Sequence, residues 1–229
     1  MMGWDMREKT VSRRRWVGHC IALALSLAGP AFAKPAAQAA KPQRILVLGD
    51  SLSAEYGLVR GTGWVALLEQ KLQAQHLPAS VTNASISGDT TAGGRSRLPA
   101  LLKSVQPTIV IIELGGNDAL QGMPLQTTRD NLRTMAAAAK ASGAQVVIVG
   151  MQMPPNYGRK YASDFAALYP EVARAEHAAL VPLLLAGVAD APNADTLFQA
   201  DKIHPTAQAH PRMRDNVWAV LQPLLLQHR

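Results

Sequence analysis

The chain has 229 residues, 48% of them hydrophobic, and a formal charge of +7, a length that predicts one large domain or two small ones. Its single cysteine excludes an intramolecular disulfide framework. Setting aside the five basic and two acidic residues before Lys34 leaves 18 against 14, a mild +4 with no basic cluster interleaved with aromatics, so no nucleic-acid partner is expected.

Arg7, Lys9 and Arg13-Arg14-Arg15 form a basic head, Cys20 to Ala28 a short apolar stretch, and Ala31-Phe32-Ala33 a small-residue cleavage site. Together they predict a signal peptide over residues 1–33 and a periplasmic or secreted product that begins at Lys34. The apolar stretch is well short of the roughly 20 residues that span a bilayer, which weighs against a retained anchor. Ser12 to Val17 also fits a twin-arginine signal, so both export routes stay open. Cys20 lies inside this leader and leaves the mature chain without a thiol nucleophile or thiolate metal ligand. Residues 34–43, rich in Ala, Pro and Lys, are expected as a loose lead-in to a domain over 44–229.

From there apolar runs alternate with helical stretches. Arg44 to Leu48, Ser80 to Ala84, Thr108 to Glu113, Gln145 to Val149 and Leu180 to Leu183 are predicted strands, the first of a kind buried on both faces. Helices are expected near Trp64 to Gln73, Arg95 to Ser104, Thr128 to Ala141, Ser163 to His177 and Ala207 to Leu226. Pro211 and Pro223 should kink or bound the last of them. The alternation predicts a single three-layer α/β/α domain around a mainly parallel five-stranded sheet. Ligands then bind where the loops leave the carboxyl ends of the strands.

Chemistry-bearing residues do follow those runs. Gly49-Asp50-Ser51-Leu52 comes after the first strand, Ser85 to Asp89 after the second, Leu114-Gly115-Gly116-Asn117-Asp118 after the third, and Asp201-Lys202-Ile203-His204-Pro205 near the end. Singly, each has an ordinary reading. Ser51 caps a helix, Asp201 and His204 form a capped turn, Gly88 serves a turn and Asn117 an Asx-turn. Jointly they supply the parts of an acyl-transfer site. A serine hydroxyl needs a base within hydrogen-bond reach and a group that orients the base, and Asp201 and His204 offer both. Gly88 and Asn117 offer donors for a developing oxyanion.

The four segments resemble the SGNH hydrolase family. The longer strings Asn83 to Thr90, Glu113 to Asp118 and Pro155-Asn156-Tyr157-Gly158 are similar to those of the bacterial periplasmic thioesterase I/protease I/lysophospholipase (arylesterase) group, over about the whole of the mature chain. That resemblance implies a flavodoxin-like fold, Ser51 as nucleophile, His204 as base and Asp201 as its orienter. It also implies an oxyanion hole from the Ser51 and Gly88 backbone N–H groups and the Asn117 amide, with no cofactor. Acyl thioesters, lysophospholipids and small esters are the implied substrates. Lys202 departs from the group, where Gly more often follows the Asp. Asp50 and Asp118 are then expected to hold loops through backbone hydrogen bonds.

Met123 and Pro124 in one loop, and Met153, Pro154, Pro155 and Tyr157 in another, either wall an acyl groove or pack their loops on the core. His76, His177, His210 and His228 are expected at the surface, and Trp64 and Trp218 in the core. No metal site is expected, and the chain is expected to be a monomer whose contact with membrane surfaces is at most peripheral. Two rivals remain: an inactive binding module on the same fold, and a metallophosphoesterase faintly echoed by Gly49-Asp50 and Gly116-Asn117-Asp118.

Overall fold

A computed structural model describes residues 42–153 and 155–226 of the chain. The expected leader, most of the lead-in, Pro154, the side chain of Pro155, and His228 lie outside the described residues.

Five strands, β1 (Gln43–Gly49), β2 (Ala79–Asn83), β3 (Ile109–Glu113), β4 (Gln145–Val149) and β5 (Ala179–Val181), form one sheet in the order β2-β1-β3-β4-β5. Every pairing is parallel, so the mainly parallel sheet expected is wholly parallel among the described residues. Between and after the strands run α1 (Trp64–Ala74), α2 (Thr91–Val105), α3 (Gly116–Leu120), α4 (Leu125–Ala141), α5 (Arg159–Ala175), α6 (Ala194–Leu197) and α7 (His210–Leu226).

Alternation along the strands builds the two cores. Leu46, Leu48, Val110, Ile112, Val146 and Ile148 point to one face, where Leu98 of α2, Met135 of α4 and Phe165 of α5 cover them. Ile45, Val47, Ile109, Ile111, Val147 and Val149 point to the other, beneath Trp64 and Leu68 of α1 and Met213 and Val217 of α7. Side chains two apart share a face, and both faces are apolar because both are covered by helices. Each such side chain is worth at most about 1.5–3 kcal/mol when fully withdrawn from water.

Several boundaries differ from the sequence reading. β1 opens at Gln43, inside the expected lead-in. β2 is mostly exposed, because it is the outermost strand and only β1 pairs with it. β5 stops at Val181, since Pro182 has no N–H to extend the ladder. α2 begins four residues early at Thr91, where the Thr90 hydroxyl accepts a hydrogen bond from Gly93 N at 3.3 Å. α7 begins at His210, and Pro211 sits in its first turn, where no intrahelical N–H is required. The short helices α3 and α6 carry too little periodicity to be read from sequence.

The order of the sheet fixes where the loops meet. The chain leaves β1 in one direction for β2 and returns to the other side for β3, so the loops after β1 and β3 diverge and leave a crevice at this switch point.

Candidate active site

Ser51 stands two residues beyond β1, in a turn wound by hydrogen bonds from Ser53 N and Ala54 N to Asp50 O. The turn is held from below. Glu113, the last residue of β3, pairs in register with Gly49 and is fully buried. Its Oε2 accepts from the Ser53 hydroxyl at 2.5 Å and from Asp50 N at 3.4 Å, while its Oε1 is buried without a partner among the described residues. The Trp64 indole N–H donates to Ser53 Oγ at 3.1 Å, and Asn83 Nδ2 donates to Ser53 O at 2.8 Å. Burial, helped by the charge of Asp50, pushes the Glu113 carboxyl well above the usual carboxylate range.

Asp50 is 3% exposed, and burial pushes its carboxyl up to about 7. Its Oδ1 accepts from Leu52 N at 3.0 Å, the backbone role expected of it. Its Oδ2 accepts from Asn117 Nδ2 at 3.2 Å, a contact with the site that the sequence reading missed.

The base comes from the connection between β5 and α7. His204 Nε2 lies 2.8 Å from Ser51 Oγ, and His204 Nδ1 lies 2.7 Å from Asp201 Oδ2. Asp201 Oδ1 accepts from His204 N at 3.0 Å and Ile203 N at 2.9 Å. The bonds from the His204 backbone and ring, followed by that from Ile203, hold the Asp201 carboxyl down at about 2. An ionised carboxylate only accepts, so Nδ1 carries the imidazole proton and Nε2 presents its lone pair to the serine hydroxyl. The Tyr56 ring packs on His204 with centroids 4.3 Å apart and planes inclined by 38°. Gln199 joins the two loops: its Nε2 donates to Tyr56 O at 2.9 Å and Pro205 O at 3.1 Å, and its N donates to His204 O at 2.7 Å.

The expected oxyanion donors lie on loops that leave the same edge of the sheet. Gly88 has φ +81°, a conformation that favours glycine, and among the described residues neither its N–H nor that of Ser51 has a hydrogen-bond acceptor. The loop that carries Gly88 is tied down by Ile86 N donating to Gly49 O at 3.0 Å, and by Arg97, which pairs with Asp89 at 2.7 Å and donates to Ala84 O. Asn117 is the second residue of α3, which follows Gly115, where φ is 124° and a Cβ would stand 2.5 Å from the Tyr169 hydroxyl. Asn117 Nδ2 donates to Asp89 O at 2.9 Å as well as to Asp50. The neighbouring Asp118 is buried and accepts from Thr91 N at 2.8 Å, which matches the structural part expected of it.

Thus Ser51, His204 and Asp201 stand in hydrogen-bond series, and Gly88 and Asn117 sit on loops bonded to the same turn. Met123 is half-buried, Pro124 caps α4 and Tyr157 is exposed, and none makes a hydrogen bond or ring contact with Ser51 or His204. Met153 is buried in the core, so it packs its loop rather than walling a groove. Trp64 and Trp218 are core residues, and His76 and His177 are exposed. His210 is a correction: it is 2% exposed, because its Nδ1 accepts the Trp64 N–H at 2.9 Å at the start of α1. Among the described residues no group of three or more His, Cys, Asp or Glu is placed to hold a metal ion.

Glu113, Tyr56, Gln199 and Arg97 were missed as parts of the site. Glu113 did leave a sign, as the one charged residue closing an apolar strand. The other three act through tertiary contacts with no local pattern.

A doubly wound parallel sheet with a Ser-His-Asp series at its switch point defines a serine hydrolase of the SGNH type. The chain belongs to the GDSL-like Lipase/Acylhydrolase family, whose model matches residues 47–212. It is 50% identical to Esterase TesA of Pseudomonas aeruginosa over 82% of this chain and 92% of that one. It is 43% identical to Thioesterase 1/protease 1/lysophospholipase L1 of Escherichia coli over 82% of this chain and 88% of that one. Among solved structures, the psychrotrophic esterase EstA from Pseudoalteromonas sp., inhibited by monoethylphosphonate, is 37% identical with a TM-score of 0.75, covering 80% of this chain and 98% of that one.

Proposed function

We propose that this hydrolase cleaves acyl esters and thioesters through an acyl-enzyme on Ser51. The observation that carries the reading is the unbroken series from Asp201 to His204 to Ser51, at 2.7 and 2.8 Å. Asp201 fixes the ring tautomer, His204 Nε2 takes the hydroxyl proton, and Ser51 Oγ attacks the acyl carbon. The oxyanion that forms is received by the free Ser51 and Gly88 N–H groups and by the Asn117 amide, where it competes with the longer contact to Asp50. His204 then returns the proton to the departing alcohol or thiol. Water repeats the sequence on the acyl-enzyme.

The substrate classes follow the relatives, which are named esterase and thioesterase 1/protease 1/lysophospholipase L1. Met123, Pro124, Pro155 and Tyr157 are proposed to line the acyl groove, on the loops beyond β3 and β4. The basic head and Ala31-Phe32-Ala33 support export of a chain beginning at Lys34 to the periplasm or medium. N-terminal sequencing of the exported protein tests that part, and finding Met1 on a cytoplasmic protein overturns it.

The activity is tested with p-nitrophenyl esters from acetyl to palmitoyl, an acyl-CoA and a lysophospholipid, on wild type and Ser51→Ala. Turnover of at least one class by wild type alone is expected. Equal turnover by both proteins overturns the reading.

A further inference from the structure

Among the described residues seven large hydrophobic side chains are exposed, and six of them share one edge of the sheet. Tyr56 and Val59 lie between β1 and α1, Ile86 between β2 and α2, Leu120 at the end of α3, Tyr157 between β4 and α5, and Ile203 between β5 and α7. All five strands run parallel, so these loops leave from the same edge, the one that carries Ser51. The seventh, Leu226, ends the last helix.

A substrate groove accounts for only part of this rim. Tyr56 packs on His204, and Ile203 precedes it. Val59 is 77% exposed, however, and Ile86 is 53% exposed on the β2 side of Ser51, whereas Tyr157 lies on the β4 side. With strands about 4.8 Å apart, loops from β2 to β5 spread over roughly 19 Å. An acyl chain that follows the proposed groove toward the β4 side leaves Ile86, on the β2 side, uncovered. Apolar groups clustered in this way on an exposed face mark an interaction surface.

The charges say which partner. Arg60 follows Val59 and Arg159 lies two residues after Tyr157; both are exposed, and neither pairs with an acid among the described residues. Lys202 precedes Ile203, is 63% exposed, and stands 3.4 Å from Asp195. Most acids of the same loops are engaged by hydrogen bonds or ion pairs. Glu55 Oε1 accepts from Gly61 N and Gly63 N, Asp89 pairs with Arg97, Asp201 with His204, and Asp50 and Asp118 are buried. Asp190, which accepts from Gly187 N at 2.6 Å, and Asp195, which is 97% exposed beside Lys202, are exposed acids of the connection between β5 and α7. The rim therefore offers aliphatic and aromatic groups with cations beside them.

We propose that this rim docks the active-site edge onto an anionic phospholipid bilayer. Val59 and Ile86 enter the boundary between headgroups and acyl chains, and Arg60, Arg159 and Lys202 meet the lipid phosphates. The use of such docking, access to acyl groups within the bilayer, rests on the hydrolase reading above; the docking itself does not.

The test is flotation of the inert Ser51→Ala protein with vesicles of phosphatidylcholine alone or mixed with phosphatidylglycerol. Binding to the mixed vesicles should be stronger by about 10-fold or more, should weaken as salt rises, and should fall by about 10-fold when Val59→Asp and Arg60→Glu are added. These variants share everything outside the rim, so the difference reports on the rim alone. In the otherwise wild-type enzyme the same pair should leave hydrolysis of a soluble p-nitrophenyl ester, and the circular dichroism spectrum, unchanged. Absence of vesicle binding, or binding that ignores phosphatidylglycerol, salt or the two substitutions, overturns the docking while leaving the hydrolase reading intact. Loss of hydrolysis by wild type on every acyl substrate has the opposite meaning.

Discussion

The proposed nucleophile and the proposed base stand on loops of opposite construction. The turn after β1 is clamped from below by a fully buried Glu113, by the Trp64 indole and by Asn83, and Asp50 beside it is 3% exposed. The loop that carries Asp201 and His204 is exposed, has Lys202 at φ 58°, and is tied to the nucleophile turn through Gln199. The turn that carries Ser51 is thus anchored on buried residues, while Asp201 and His204 reach it from an exposed loop. Substitutions in the first region should cost both stability and chemistry; in the second, chemistry alone.

Asp201→Asn is expected to break that comparison most visibly, if it is wrong. Removing the anion that fixes the His204 tautomer should lower kcat by about 10⁴-fold. Thermal unfolding should barely move, because the carboxyl is 37% exposed and lies outside the core. Kinetics on a p-nitrophenyl ester together with a melting curve measures both. A large loss of Tm places the base loop in the structural scaffold instead.

Asn117→Ala should lower kcat by roughly 100- to 1000-fold, the usual effect of deleting one oxyanion donor. Unlike Asp201→Asn, it should also destabilise the fold, since the Asp50 and Asp89 contacts of the amide are lost with it. Equal kcat in variant and wild type removes Asn117 from the proposed oxyanion hole.

Asp50 sharpens the comparison through pH. Its carboxyl is raised from 3.8 to about 7, so in that window the folded chain holds a proton that the unfolded chain has lost. Stability should therefore fall as pH rises from about 4 to about 7 and then level off. Asp50→Asn should flatten this slope by a few kcal/mol at most. Glu113, raised in the same direction, adds to the slope, whereas the exposed Asp201, held at about 2, contributes only a small, solvent-screened stability that is lost as pH falls from about 4 to about 2. Urea unfolding of wild type and Asp50→Asn at pH 5 and pH 8 measures the difference. An unchanged slope means that Asp50 is ionised throughout.

The smallest effect is expected at Lys202. A non-glycine residue at φ 58° is strained, so Lys202→Gly should stabilise the fold by about 1 kcal/mol or less, offset by the greater freedom of the unfolded chain. Hydrolysis of soluble esters should change little. A destabilised variant shows that the contact with Asp195 outweighs the strain.

The division between the two regions also explains what the sequence made legible. β1, β3 and β4 were readable because both faces of the sheet are covered there, which turns them into continuous apolar runs. Ser51, Gly88, Asn117, Asp201 and His204 were readable because each directly follows a strand or sits in a compact motif. What escaped was the support. Glu113 acts through Ser53, Arg97 reaches back from α2 to Asp89, and Gln199 bridges residues more than 140 positions apart in sequence. His210 was misjudged for the same reason, since its partner Trp64 lies 146 positions away. Contacts of that kind leave no period or spacing to read.

The central claim is that Ser51 forms the acyl-enzyme, and covalent labelling tests it most directly. A phosphonate ester that reacts with activated serines should abolish hydrolysis and add one adduct, which peptide mass mapping should locate on Ser51. Ser51→Ala should take no label and should hydrolyse esters at least about 10⁴-fold more slowly, with an unchanged circular dichroism spectrum. A single inactivating adduct on another residue, or near-normal hydrolysis by folded Ser51→Ala, contradicts the account.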